Sequence, residues 1–428
     1  MSTGRVLDVR LDEVTVGQIE RRNGRLRFTY DADWQAWDAA TPLSLSMPLA
    51  AREHRHHVVN AFLWGLLPDN DRVLERWARE FGVSPSHPLG LLANVGEDLP
   101  GAMRLVDPDA PVRIPAGDGI DWLSEGDVAE LLAEVRADQT AWLGRDTAAR
   151  WSLAGAQPKI ALLYDDERGW GRPRGRPATN RILKPAIADF DDHDLNEHLC
   201  LKAAGLLDLR AVRSEVVSFG AERAIVVERY DRIQGSGGGW ERVHQEDLCQ
   251  ALAVHPAQKY QNEGGPSPVG VVKLLRASIP DRHTAERDVA GFIDALIFNW
   301  LIAAPDAHAK NYSVLLSGSR VRLAPLYDIA SALPNTDLYV PKVRSAMKIG
   351  PHYLLSAIKQ SSWRTLATDV GVDADALIVR ARELAAAAPA AFSDATAVLT
   401  VTRLTSDLPA RLIDGVAERS ARCLTGLG

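Results

Sequence analysis

Apolar and polar positions alternate in three short runs near the N-terminus, "RVLDVRL", "VTVGQIERR" and "GRLRFTY", within residues 5–30. They predict three strands, with "NG" at 23–24 as a hairpin turn. The period then becomes helical across "VVNAFLWGLLPDNDRVLERWAREFGV", where Phe62, Leu66, Val73, Trp77 and Phe81 recur with a break at Pro68. Residues 107–119, "DPDAPVRIPAGDG", contain three prolines and two glycines and read as a linker. Residues 1–110 are therefore expected to form a unit of their own.

The middle of the chain carries strand signals. "KIALLY" (159–164) precedes a polar, glycine-rich stretch at 165–178 and then "NRILKPA". A helix, "DLNEHLCLKAAGLL", separates these from two further strand-like runs, "AVRSEVVSFG" and "RAIVVERYD". From residue 245 helical spacing dominates, and Val289, Phe292, Leu296 and Trp300 form a core-facing stripe. An alanine-rich helix at 374–388 and "ARLIDGVAERSARCLTGL" close the chain. A strand-rich segment feeding a helical one predicts an α+β, two-lobed architecture, with no internal repeat.

Composition narrows the class. The 428 residues are 46% hydrophobic and 25% charged, ordinary for a globular chain of two or three domains. The net charge of −7 offers no basic excess for holding nucleic acid. Three cysteines, Cys200, Cys249 and Cys423, lie too far apart for a CxxC-type metal site and are odd in number, against a disulfide framework. The charged N-terminal "MSTGRVLDVRLDEV" lacks a signal-peptide core, and the apolar run 291–304 is too short to span a bilayer. A cytoplasmic protein is expected. The histidines of "HRHH" (54–57) lack partners at zinc spacing and read as a polar loop.

Candidate chemistry centres on "PDAHAKN" (305–311), which follows the apolar "GFIDALIFNWLIAA". Pro305 is expected to close the helix, leaving a loop with Asp306, His308, Lys310 and Asn311. Asp306 and Asn311 stand at the D-x-x-x-x-N spacing of a protein-kinase catalytic loop, where the acid accepts a hydroxyl proton and the amide holds magnesium. "YSVLL", "SGS" and "RVRLAPL" then read as a hairpin that returns Asp328 to the same end. Upstream, Lys184 in "RILKPA" suits a phosphate-binding strand lysine, and Glu197 on the next helix suits its partner. "SLAGAQPK" (152–159) suits a phosphate loop, although one glycine satisfies neither G-x-G-x-x-G nor a Walker A motif. The backbone at 228–230 of "VVERYD" suits an adenine-facing connector. Singly, each has a plainer reading: Lys184 as a strand-end lysine, Glu197 as a solvated helix residue, Asp328 as a helix N-cap, His308 as a loop histidine with an orienting role. Their order along the chain is that of a kinase.

With these motifs in place, the chain resembles the HipA family of bacterial type II toxins, which are serine/threonine kinases. The resemblance rests on "SLSMPL" (44–49), "LLPDN" (66–70), "DLPGAM" (98–103), "SLAGAQPK" (152–159), "VVERYDR" (226–232), "HQEDLCQAL" (244–252), "KYQNEGGPS" (259–267), "NWLIAAPDAHAKNYSVLL" (299–316) and "LAPLYDIASAL" (323–333). It covers most of residues 40–335. It implies a small N-terminal α/β domain before a two-lobed, protein-kinase-like body with a strand-rich N-lobe and an all-helical C-lobe, divided as 1–110, 111–243 and 244–428. It implies ATP and Mg2+ as cofactors, Asp306 as catalytic base, and Asn311 and Asp328 as magnesium ligands. The ATP contacts it implies are Ala154, Gly155, Ala156, Gln157, Pro158, Lys159, Lys184, Glu228, Arg229, Tyr230, His308, Ala309, Lys310 and Asn311. Ser152 falls on the serine that members autophosphorylate to switch themselves off.

The resemblance also implies a HipB-like helix-turn-helix antitoxin and a protein substrate in translation, an aminoacyl-tRNA synthetase with glutamyl-tRNA synthetase first. Two departures stand out. "QPK" replaces a common Glu before the loop lysine, and "AIKQSSWRTLATDVGVDADAL" shows no basic pair for direct DNA contact. Operator DNA is then expected only through the antitoxin. The competing readings are a catalytically weak co-repressor scaffold and a small-molecule kinase. Retention of Asp306, Asn311, Asp328 and Lys184 together argues against the first, and the autophosphorylation-type loop against the second.

Overall fold

The computed structural model describes residues 5–109, 119–142, 151–175, 177–186, 192–235, 239–335, 339–399 and 406–428. Most of the expected linker, 110–118, lies outside the described residues. The chain gathers into two compact units: Met1–Pro185 with Ser218–Ala257 and Val314–Val321, and Ala186–Val217 with Gln258–Ser313 and Arg322–Gly428.

The first unit begins with the strands predicted from alternation, β1 (Val6–Leu11), β2 (Val14–Arg22) and β3 (Arg25–Tyr30). Asn23 and Gly24 both take positive φ, 50° and 77°, as a two-residue turn matched to strand twist requires. With β4 (Glu53–Arg55) and β5 (Met103–Val106) these strands form an antiparallel sheet in the order β4-β3-β2-β1-β5. "HRHH" is not a loop: it spans the end of β4 and the first turn of helix His56–Gly65. His54 is buried against Phe28 at 6.2 Å, and His56 Nδ1 accepts the Leu26 N–H at 3.1 Å. The break at Pro68 separates two helices, and Asn70 caps the second, Asp71–Phe81, at the Arg72 N–H (3.1 Å).

A second antiparallel sheet in this unit contains β6 (Ile120–Leu123), β7 (Ile160–Asp165), β8 (Gly169–Pro173) and β9 (Arg181–Pro185). Strand Glu222–Glu228, β9, β7, β8 and β6 lie side by side in that order. The glycine-rich stretch 165–178 thus contains a strand that its composition hid. Two buried polar joints hold the unit together. In one, Asp98 accepts from Arg232 Nη2 (2.9 Å), Arg229 Nη1 (3.3 Å) and Thr179 Oγ1 (2.6 Å). Burial raises the Asp98 pKa, but Arg232, Arg229 and Arg242 overcome it and hold the carboxyl below the usual range. In the other, "SLSMPL" meets "HQEDLCQAL": Ser44 Oγ and the Leu45 N–H donate to the Glu246 carboxyl at 2.5 and 2.7 Å. Ser46 Oγ donates to the Gln250 carbonyl at 2.8 Å.

The second unit is mainly helical, built from His193–Leu206, Pro268–Ser278, Arg282–Leu301, Gln360–Val370, Ala374–Ala397 and Leu408–Gly426. A small hairpin, Arg344–Ile349 with His352–Leu354, adds strands that periodicity did not reveal. The helix expected at 374–388 runs on through Pro389 to Ala397. In helix Arg282–Leu301, Asp281 caps the start at the Thr284 N–H (2.7 Å), and the predicted stripe Val289, Phe292, Leu296 and Trp300 is buried. Phe298 stacks on Phe392 at 6.4 Å and Trp300 meets Trp363 edge-on at 5.4 Å. Pro305 does not end this helix. It stops at Leu301, Ala303 turns left-handed (φ 52°), and the Ala304 N–H bonds back to the Asn299 carbonyl at 2.8 Å. The loop is launched by a backbone reversal, before the proline is reached.

Candidate functional site

In the second unit that reversal delivers Asp306, with its side chain 59% exposed, above a buried floor. His308, Ala309, Lys310 and Asn311 behind it are all buried, and Ala309–Asn311 form one 3-10 turn. Asn311 Nδ2 donates to the Asp306 carbonyl at 2.7 Å, which fixes the amide's orientation and leaves Oδ1 as the end suited to a cation. His308 Nε2 is 3.6 Å from Asp306 Oδ1, beyond a hydrogen bond. Past the hairpin, the Ala324 N–H bonds to the Ser313 carbonyl at 2.8 Å and closes the hairpin's base. Tyr327 Oη then donates to the Lys310 carbonyl (2.7 Å) and shares a 2.6 Å bond with Ser313 Oγ. The residue before Asp328 is thereby tied to the residue before Asn311. Asp328 has left-handed backbone (φ 56°) and opens no helix, so its N-cap reading falls.

An amide oxygen and one carboxylate are a hard-oxygen donor set. It fits magnesium, which keeps several waters and leans on phosphate oxygens rather than on a full protein cage. Among the described residues no group of three or more His, Cys, Asp or Glu side chains is placed to hold a metal.

The first unit carries the other predicted residues. Ser152 is fully buried, with Oγ donating to the Leu66 carbonyl at 2.7 Å and its N–H to the Asp98 carbonyl at 3.1 Å. Gly155 has φ 107° and accepts the Asp69 N–H at 2.9 Å, which pins the loop to "LLPDN". Lys159 Nζ closes the loop on the Ala154 carbonyl (2.7 Å), above the Trp142 ring. The φ of Gly155 requires glycine, and a Cβ here would sit 2.5 Å from the Lys159 amine and displace it. Lys184 lies on β9 opposite Ile225 and is buried, as is Arg229. In the connector the Arg229 N–H is committed to the Asn180 carbonyl (3.0 Å) and its side chain to Asp98 and Asp231. Tyr230 Oη bonds Gln245 at 2.6 Å. Glu197 is buried on helix His193–Leu206 of the second unit.

Sequence reasoning missed two participants. Asp98 joins the loop to the connector, its carbonyl holding Ser152 and its carboxylate Arg229. Tyr260 donates a hydrogen bond to Asp306 Oδ1 from "KYQNEGGPS". Both motifs had been noticed, but nothing in their spacing indicated a partner so distant in sequence.

Residues 7–106 match the HipA N-terminal domain family and residues 151–392 the HipA-like C-terminal domain family. The chain is 36% identical over 411 residues to the Sinorhizobium fredii protein named "Putative kinase Y4mE", covering 95% of this chain and 94% of that one. It is 26% identical over 446 residues to the serine/threonine-protein kinase toxin HipA of Shewanella oneidensis, covering 100% and 98%. The solved complex of Shewanella oneidensis HipA, HipB and operator DNA contains a chain that superposes with a TM-score of 0.83 at 25% identity, covering 99% and 97%. Fold, loop and relatives together define an enzyme of the protein-kinase class. The chain belongs to the HipA family.

Proposed function

We propose that this chain is the toxin of a toxin–antitoxin pair and acts as an ATP- and magnesium-dependent serine/threonine kinase. The observation that carries the reading is the Asp306–Asn311 pair: an exposed carboxylate whose own carbonyl orients the amide five residues on. Asp306 accepts the proton of a substrate hydroxyl as that oxygen attacks the γ-phosphorus. The bond to the β-phosphate oxygen breaks, giving a phosphoester and ADP. Asn311 Oδ1 and the Asp328 carboxylate would hold magnesium, which would supply charge neutralisation on the phosphates. The loop 154–159, Lys184, the connector 228–230 and His308–Asn311 are assigned to ATP, and Glu197 to orienting Lys184. The Arg229 N–H and side chain are engaged within the fold, which leaves adenine recognition to the remaining backbone groups of 228–230. The division 1–110, 111–243 and 244–428 is part of the same proposal.

Ser152 is assigned as the autophosphorylation site. A phosphate cannot replace a buried hydroxyl that donates to the Leu66 carbonyl, so phosphorylation would drive the segment out of place. A HipB-like antitoxin is the proposed partner, with operator DNA reached through it, supported by the HipA–HipB–operator DNA complex to which the chain is similar. An aminoacyl-tRNA synthetase, glutamyl-tRNA synthetase first, is the proposed substrate on the family resemblance. Asp306→Ala is expected to abolish phosphate on Ser152 after incubation with Mg-ATP, read by mass spectrometry, and to relieve growth arrest on expression with thermal unfolding unchanged. Undiminished phosphorylation by that variant would sink the mechanism.

A further inference from the structure

The segment "KYQNEGGPS" takes no part in the chemistry proposed above, yet it lies against the catalytic loop through Lys259 and Tyr260. The Lys259 carbonyl accepts the Ala309 N–H at 3.4 Å, and Tyr260 Oη donates to Asp306 Oδ1. The Tyr260 ring also meets His308 edge-on, with centroids 5.0 Å apart and planes at 86°. The segment is itself held in place. The Glu263 and Gly265 N–H groups both return to the Tyr260 carbonyl at 3.0 Å, and the Gln261 side chain accepts the Lys348 N–H at 2.7 Å from strand Arg344–Ile349. A Cβ at Gly265 would stand 2.3 Å from the Gln258 carbonyl oxygen and 2.7 Å from that of Tyr260, so the turn closes with no room for a side chain. Ser267 then caps the next helix at the Gly270 N–H (3.1 Å). The tyrosine is carried on a braced turn.

Its target is otherwise loosely held. The Asp306 side chain is more than half exposed, and His308 Nε2 stays outside hydrogen-bond range. An exposed carboxylate turns about its terminal bond at little cost, whereas a proton acceptor in phosphoryl transfer has to present one oxygen to the hydroxyl at attack distance. A hydroxyl fixed on Oδ1 does this, since it leaves Oδ2 to face the substrate.

We infer that Tyr260 is a positioning residue for phosphoryl transfer, orienting the Asp306 carboxylate through its hydroxyl. The inference rests on the reading of Asp306 as the base. Tyr260→Phe isolates the hydroxyl, because the ring contact with His308 and the bonds of the turn do not use it. The experiment is the initial rate of autophosphorylation of the full chain, followed with radiolabelled ATP and magnesium over a range of ATP concentrations. Tyr260→Phe is expected to lower kcat about tenfold while KM for ATP stays within about twofold and the unfolding temperature is unchanged. Replacing Tyr260 by p-aminophenylalanine, which restores a donor at the same place, is expected to recover most of the rate. A Tyr260→Phe variant with undiminished kcat, a loss confined to KM, or no recovery with the amino analogue would overturn the inference. Asp306→Asn separates the two levels. If it is silent while Tyr260→Phe is fully active, only the positioning role fails; if it is fully active, or the unmodified chain transfers no phosphate, the base reading fails as well.

Discussion

Ser152 shows how much one side chain's surroundings decide. In sequence it is a serine at the head of a small-residue loop; in the fold it is sealed, bonded through Oγ to Leu66 and through N–H to Asp98. A hydroxyl satisfies that carbonyl, and a charged acceptor cannot. Ser152→Asp is therefore expected to weaken ATP binding by at least about tenfold in titration calorimetry, while Ser152→Ala, which stays uncharged, leaves it within about threefold. Equal ATP affinity in Ser152→Asp and the unmodified chain would show that the buried seat of this serine does not couple to the nucleotide. The spacing of Asp306 and Asn311 suggested a pair, because five residues is one loop's reach, and the order of the surrounding motifs gave it weight. The partner of Asp306, Tyr260, stands 46 residues upstream and was not legible.

Among the elements, helix Arg282–Leu301 was the most legible, since a stripe at i, i+3, i+4 can only face a core. Its end was misread. Proline is a conspicuous breaker, but Ala303 had already turned the chain. That end is also held from another helix. Arg419, buried on Leu408–Gly426, donates Nε and Nη2 to the Trp300 carbonyl at 3.1 and 2.9 Å. The Trp300 carbonyl also accepts the Ala303 N–H at 3.3 Å, so the cation adds charge-assisted bonds to it and meets the negative end of the helix dipole. Burial works against it and lowers its pKa. Arg419→Met fills similar space without a donor and is expected to cost about 1–3 kcal/mol in guanidinium unfolding. A change within a few tenths would mean that solvent or a neighbour replaces the donor. Strand β8 was hidden for the opposite reason: a Gly-rich run shows no period, and its pairing with β6 and β7 supplies what propensity lacks.

On the scale of the molecule, the polar joints carry consequences that no single element shows. Burial pushes the Glu246 carboxyl up to about 8, against bonds from Leu45 and Ser44 that pull it down. The folded state therefore holds a proton there that the unfolded chain releases near its ordinary value of 4.5. The stability from this site is present in full below that value and is lost as pH rises through about 8. Glu246→Gln imitates the protonated acid. It is expected to match the unmodified chain's melting temperature near about pH 5 and to exceed it near about pH 8, flattening the profile. A parallel profile for the two proteins would show that Glu246 does not set the dependence. This joint binds Ser44, Leu45 and Ser46 to Glu246 and Gln250, so segments far apart in sequence pack within the first compact unit.

What the sequence determined by itself was local and periodic. Strand alternation, the apolar stripe of one helix, the Asn23–Gly24 turn and the D-x-x-x-x-N loop all lie within the reach of neighbouring residues. Backbone geometry and side-chain period suffice to specify them. The order of the kinase-like motifs was also readable, because order is a property of the chain. Only the tertiary structure decided that Asp98 joins loop to connector, that Tyr260 addresses Asp306, and that Ser152 is sealed. Each of these is a hydrogen bond between groups far apart in sequence. Such a bond leaves no period to read, because its direction and burial exist only once distant segments have packed together.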